Sequence, residues 1–142
     1  MKQYQYLIAP GIGWLLAQII KLSIYYYQKA PTKSIFLSGG MPSSHTTFVA
    51  SLATIVGWEM GLNSVVFALA AGLTAVVAFD SMNVRRTVGE HGTFIKHFIQ
   101  HNSKPAVMPS QDIYHSQGHN ALEVFAGLIL GIAIGTGVYF IL

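Results

Sequence analysis

Long apolar runs separated by short polar breaks dominate the chain, at a spacing that suits helices rather than strands. The first run, Tyr6 to Tyr27, is long enough to cross a bilayer core of about 30 Å at about 1.5 Å per residue. A second begins at Ser43 or Ser44, ends near Met60, and is rich in Thr and Ala. The third, Leu62 to Phe79, is nearly all Val, Ala, Leu and Phe, and the fourth covers Ala121 to Leu142. Such blocks do not read as barrel strands, which alternate and are shorter, and a bilayer admits only helices or closed barrels. The pattern predicts an all-α fold: a polytopic membrane helix bundle of about four transmembrane helices, forming a single integral membrane domain over residues 1–142.

Between the third and fourth runs, Phe94, Ile95, Phe98 and Ile99 form one apolar stripe while Lys96, His97 and His101 lie mostly elsewhere. That arrangement predicts a short interfacial helix over Thr93 to His101. Pro105 and Pro109 follow, and the tract from Asn102 to Gly118 reads as loop. In the last run Gly127, Gly131 and Gly135 repeat every four residues, a face suited to close helix packing. A homodimer through that glycine-rich face is the expected oligomer.

Composition agrees with a membrane chain: 52% of residues are hydrophobic and 9% charged, against roughly 25% charged in soluble domains. No cysteine is present, which excludes disulfides, thiol catalysis and Cys-ligated metals. The net charge of +3 comes from basic residues scattered along the sequence, so loop charge and anionic lipid explain it better than nucleic acid, and no nucleic-acid partner is expected. Lys21 inside the first run, and the lack of a small-x-small cleavage site, argue against a cleaved leader. With the amino terminus outside, loops 28–42 and 80–120 carry Lys29, Lys33, Arg85, Arg86, Lys96 and Lys104, whereas the opposite face has Lys2. This bias places those loops in the cytoplasm. It gives a multi-pass cell-membrane protein with His45, Asp80, Arg85, Arg86, His119 and Glu123 at the cytoplasmic face.

Those residues carry the candidate chemistry. Pro42-Ser43-Ser44-His45 opens the second run, where Ser43 or Ser44 can cap a helix. The first-turn amides and the positive dipole end make a seat for phosphate, and His45 is placed to protonate a leaving oxygen. A plain capping element with an interfacial histidine is the alternative. His119 and Glu123 are spaced to share one helix face, where the carboxylate would fix the imidazole tautomer and leave the other nitrogen as nucleophile. The competing reading is a structural pair closing the helix end. Arg85 and Arg86 offer planar donors for phosphate oxygens, or simply hold the span end at the headgroups, with Asp80 orienting an arginine. Lys21, a cation within a span, either meets a phosphate or snorkels to the interface. No HExxH or Cys/His spacing completes a metal set, so no metal and no cofactor are expected.

The blocks GGMPSSHTT (39–47), FDSMNVRRTVGEHG (79–92) and GHNALEVFAGLILGI (118–132) resemble the divergent branch of the type 2 phosphatidic acid phosphatase superfamily, related to acid phosphatases and vanadium-dependent haloperoxidases. The superfamily motif Pro-Ser-Gly-His is similar to Pro42-Ser43-Ser44-His45 and implies a general acid at His45. The motif Ser-Arg-x5-His-x3-Asp resembles His119-x3-Glu123 and implies a nucleophilic His119 oriented by Glu123. Its Ser-Arg portion is missing, with Ile113 at the arginine position, and Arg85 or Arg86 would take that place. Lys-x6-Arg-Pro survives only as Lys21, with Gln28 where the arginine would stand. The resemblance implies a metal-independent membrane phosphatase acting on a lipid phosphate monoester through a phosphohistidine. Phosphatidylglycerophosphate, phosphatidate and polyprenyl phosphate or diphosphate are the candidate substrates. Lys21, Ser43, Ser44, Arg85 and Arg86 would hold the phosphate. A non-catalytic membrane protein binding phosphate headgroups or a protein partner is the alternative.

Overall fold

A computed structural model describes residues 4–28, 40–102 and 118–142. Five helices follow in order: α1 Gln5–Tyr27, α2 Ser44–Met60, α3 Val65–Met82, α4 Val84–Asn102 and α5 Ala121–Ile141. The described residues contain no strand, so the fold is all-α.

Three helical stretches are long and apolar enough to cross a membrane: α1, α3 with its continuation into α4, and α5. The expected count of four included α2, whose 17 residues rise only about 25 Å. It nevertheless runs between the same two ends of the bundle as α1, α3 and α5, and forms its centre, packed against all three. Its Ser and Thr content explains how it can be central, because the hydroxyls bond backbone rather than competing for water that is absent. Thr47 Oγ1 donates to the Ser43 carbonyl at 2.8 Å, Thr54 Oγ1 to that of Ala50 at 2.7 Å, and Ser51 Oγ to that of Phe48 at 2.9 Å.

The glycine face of α5 is occupied by α2 of the same chain. A Cβ on Gly131 would lie 2.6 Å from the Ala50 Cβ, and one on Gly135 2.7 Å from the Ser51 carbonyl oxygen. Close packing there is as expected, but the homodimer contact assigned to this face is corrected: the face is already filled. Gly137, by contrast, points into open space.

Outward faces are apolar. Leu7 and Leu15 of α1, Leu69 and Val76 of α3, and Phe125 and Ile129 of α5 are all exposed, which suits hydrocarbon and not water. At the end where α2 turns into α3, Trp58 stacks on Tyr139 and meets Phe140 edge-on, while Trp58 Nε1 donates to Thr136 Oγ1 at 3.2 Å. Amphipathic rings of this kind belong at a bilayer interface. Gly61, at φ +83°, makes the turn, and the Ser64 hydroxyl caps α3 by accepting from the Phe67 amide at 3.1 Å.

The helix expected at the interface proves longer than its sequence pattern suggests. It runs from Val84, directly after the end of α3, and the predicted Thr93–His101 segment is only its second half. Residues 80–92 are therefore helical almost throughout, not loop. The loop expected over 102–118 falls almost wholly outside the described residues.

Candidate functional site: a polar rim where four helices meet

α1 and α3 finish, and α2 and α5 begin, at the end of the bundle opposite the aromatic cluster. Each delivers polar residues there. Ser43 caps α2, its Oγ accepting from the Thr46 amide at 3.5 Å and the Thr46 hydroxyl at 3.0 Å. This capped end is buried against α5, the Ser43 amide donating to the Glu123 carbonyl at 2.9 Å. Lys21, near the end of α1, is 4% exposed, and its Nζ donates to Ser44 Oγ at 3.3 Å.

A capping box starts α5. The Glu123 amide donates to Asn120 Oδ1 at 2.9 Å, and Glu123 Oε2 accepts from the Asn120 amide at 3.2 Å. The same Oε2 accepts from His119 Nδ1 at 2.8 Å. His119 thus precedes the cap instead of lying on the helix. It meets Glu123 because the capping box turns the carboxylate back, not through a shared helix face. With the proton on Nδ1, Nε2 keeps its lone pair. The His119 ring is 2% exposed. Burial pushes it below the ordinary histidine range, the Glu123 hydrogen bond and charge oppose this, and the Lys21 and Arg85 charges add to it. Its backbone is held too, the His119 amide donating to the Ser81 carbonyl at 3.0 Å. Gly118 sits so close to the Arg86 backbone that no Cβ would fit.

Asp80 holds Arg85 Nε at 2.9 Å, whereas Arg86 pairs with Glu90 at 3.2 Å on the surface. The exposed His45 lies within electrostatic reach of Arg85, Lys21, His119 and Asp80. The structure therefore gathers Lys21, Ser43, Ser44, His45, Asp80, Arg85, His119 and Glu123 at one rim, with Arg86 at its edge.

The two imidazoles line different openings. His45, Asp80 and Arg85 head a cleft of about 530 Å³ whose walls are Trp14, Phe48, Val49, Val76 and Val77. His119 and Glu123 line a second, more polar one of about 300 Å³ beneath Arg86, Glu90 and Thr93. Asp80 belongs to the first, and the carbonyl of its neighbour Ser81 bonds the His119 amide, so the end of α3 touches both. Among the described residues no group of three or more His, Asp or Glu is arranged to hold a metal ion.

Sequence reasoning missed Trp14, Phe48, Ser81 and Asn120. Only Asn120 had a readable signal, an Asn three before a Glu at the head of an apolar run.

A family model described as "Divergent PAP2 family" matches residues 2–134. The chain belongs to the divergent PAP2 family. Membership relates it to PAP2-type lipid phosphatases and agrees with the expectation drawn from the three sequence blocks. It is 35% identical over 133 residues, 84% of each chain, to a Bacillus subtilis (strain 168) protein named "Uncharacterized membrane protein YuiD". No solved structure matches it.

Proposed function

We propose that this divergent PAP2 protein is a membrane phosphatase that hydrolyses a lipid phosphate monoester at the cytoplasmic rim of the bundle. The observation that carries this reading is Lys21. It is 4% exposed, its hydrogen bond goes to a neutral hydroxyl, and the Glu123 carboxylate reaches it only electrostatically, with no ion pair to Lys21 among the described residues. A buried ammonium in that condition is costly and calls for an anion. The first turn of α2 lies next to it, where the Ser43 hydroxyl takes the Thr46 amide and leaves the amides before it for an anion.

The reaction follows from the groups around that anion. The His119 Nε2 lone pair forms the N–P bond, the P–O bond to the lipid breaks, and its electron pair leaves on the alkoxide, which takes a proton from His45. Water then attacks phosphorus, the N–P pair returns to Nε2, and His45 accepts the proton. Lys21, Ser43, Ser44 and Arg85 hold the equatorial oxygens, with Asp80 orienting Arg85 and Arg86 adding charge at the edge. The cleft below His45 is apolar from Phe48 and Val49 to Val76 and Val77. It therefore accepts the lipid end of the leaving group while the chains stay in hydrocarbon. Phosphatidylglycerophosphate, phosphatidate and polyprenyl phosphates or diphosphates all meet this description.

A second reading, a non-catalytic binder of phosphate headgroups, is favoured by the separate openings of His45 and His119. Purified protein assayed against a lipid phosphate panel in EDTA, with and without vanadate, separates the two. The phosphatase releases phosphate, vanadate inhibits it, His119→Ala abolishes release and His45→Ala impairs it strongly. Binding without release from any lipid, or release that survives His119→Ala, removes the catalytic reading.

A further inference from the structure

Ser81 departs from the habit of this fold. Helix hydroxyls elsewhere, buried or half-buried, donate to a carbonyl one turn back, as in Thr47, Thr54 and Thr74, or share a bond with a neighbouring side chain, Thr46 donating to Ser43 and Ser44 accepting from Lys21. Ser81 Oγ is buried in a residue 1% exposed and has no hydrogen-bond partner. Among the described residues it is the one buried hydroxyl left in this state. A buried donor without an acceptor is disfavoured, and in a folded protein its persistence asks for a reason.

Its position supplies one. The Ser81 carbonyl accepts from the His119 amide at 3.0 Å, so the spare hydroxyl belongs to the residue in backbone contact with the candidate nucleophile. Asp80, one residue earlier, holds Arg85. Ser81 is thus next in sequence to Asp80, which lines the His45 opening, and in backbone contact with His119, which lines the other. We propose that Ser81 is a phosphoryl-binding residue, its hydroxyl donating to an oxygen of the phosphoryl group when that group is on or beside His119 Nε2. This assignment rests on the phosphatase reading above and adds a residue to it. The donor would act on developing negative charge from a buried position, where such a bond is stronger than in water. An idle hydroxyl in the free protein and a satisfied one in the phosphoryl complex make Ser81 a group whose contribution grows along the reaction.

The test uses the full chain in detergent or nanodiscs, with inorganic vanadate as probe and lipid phosphate turnover alongside. Ser81→Ala should weaken vanadate inhibition and lower kcat/KM by roughly 10- to 100-fold, with a thermal midpoint equal to or above wild type, because the lost hydroxyl had no partner. Ser81→Thr, which restores a hydroxyl, should recover part of both. A Ser81→Ala protein that matches wild type in vanadate affinity and turnover overturns the proposal and leaves the phosphatase reading standing. So does a loss of activity that tracks a lowered thermal midpoint, since that marks a packing role. Wild-type protein that neither binds vanadate nor releases phosphate brings down the phosphatase reading, and Ser81 with it.

Discussion

The sharpest expectations concern single groups at the rim. Burial holds His119 below the ordinary histidine range, so Nε2 keeps its lone pair at neutral pH, as the proposed attack on phosphorus requires. Between the lowered folded value and about 6.5 in the unfolded chain, the unfolded state binds more protons. This group's contribution to stability therefore falls as pH drops through that window and is constant above it. The acid limb of kcat/KM should lie below about pH 6.5, and a limb at or above that value would contradict a buried neutral His119. Lys21→Met removes a buried cation that forms no ion pair, so the thermal midpoint should hold or rise while vanadate inhibition weakens at least about tenfold. A collapse of stability would show instead that Lys21 is structural. Glu123→Ala deletes the carboxylate half of the capping box and the acceptor for His119 while leaving the Asn120 cap on the backbone amide, a loss of about 1–3 kcal/mol in unfolding free energy on top of lost activity. Glu123→Gln keeps an acceptor for His119 and should cost less stability, which paired denaturant titrations would read.

At the level of elements, α5 shows what the sequence could and could not convey. Glycines at 127, 131 and 135 announced a close-packing face, but spacing specifies a face and not its occupant, and α2 fills it rather than a second copy. Gly131→Leu should prevent the α2–α5 contact and abolish the folded state, since even a Cβ there lies 2.6 Å from the Ala50 Cβ. Gly137→Ala, facing open space, should fold normally. Expression and melting of the pair in detergent decide it, and equal behaviour would mean α2 does not lie on this face. α4 was half legible. Phe94 and Phe98 marked its second half, but the Val84–Gly92 stretch has glycines at 89 and 92 that weaken helix propensity, and Gly89 is buried by tertiary packing that no local pattern reveals. The polar rim was more readable because helix starts leave signatures: Ser43 ahead of α2, and His119 with Glu123 around the start of α5. Trp14 and Phe48 were not, for they look like any lipid-facing residue until α1, α2 and α3 are placed together.

For the whole molecule, the direction in which the bundle crosses the membrane decides which leaflet supplies the headgroup. The outer faces are apolar, Trp58, Tyr139 and Phe140 cluster at one end, and the polar rim with α4 occupies the other. Basic residues are concentrated in the segments on the rim side, Arg85, Arg86 and Lys96 in α4 among them, and positive charge stays in the cytoplasm. The natural chain has no cysteine, so single-cysteine labelling is free of background. Asn63→Cys, in the turn between α2 and α3, should react with a membrane-impermeant maleimide in intact cells. His91→Cys, in α4, should react only in inside-out vesicles. The reverse result would put His45 and His119 at the outer leaflet and transfer the substrate search to lipids exposed there. Labelling of both positions from one side would mean that α3 does not cross, and the apolar faces of α3 and α5 would then require a partner protein in place of lipid.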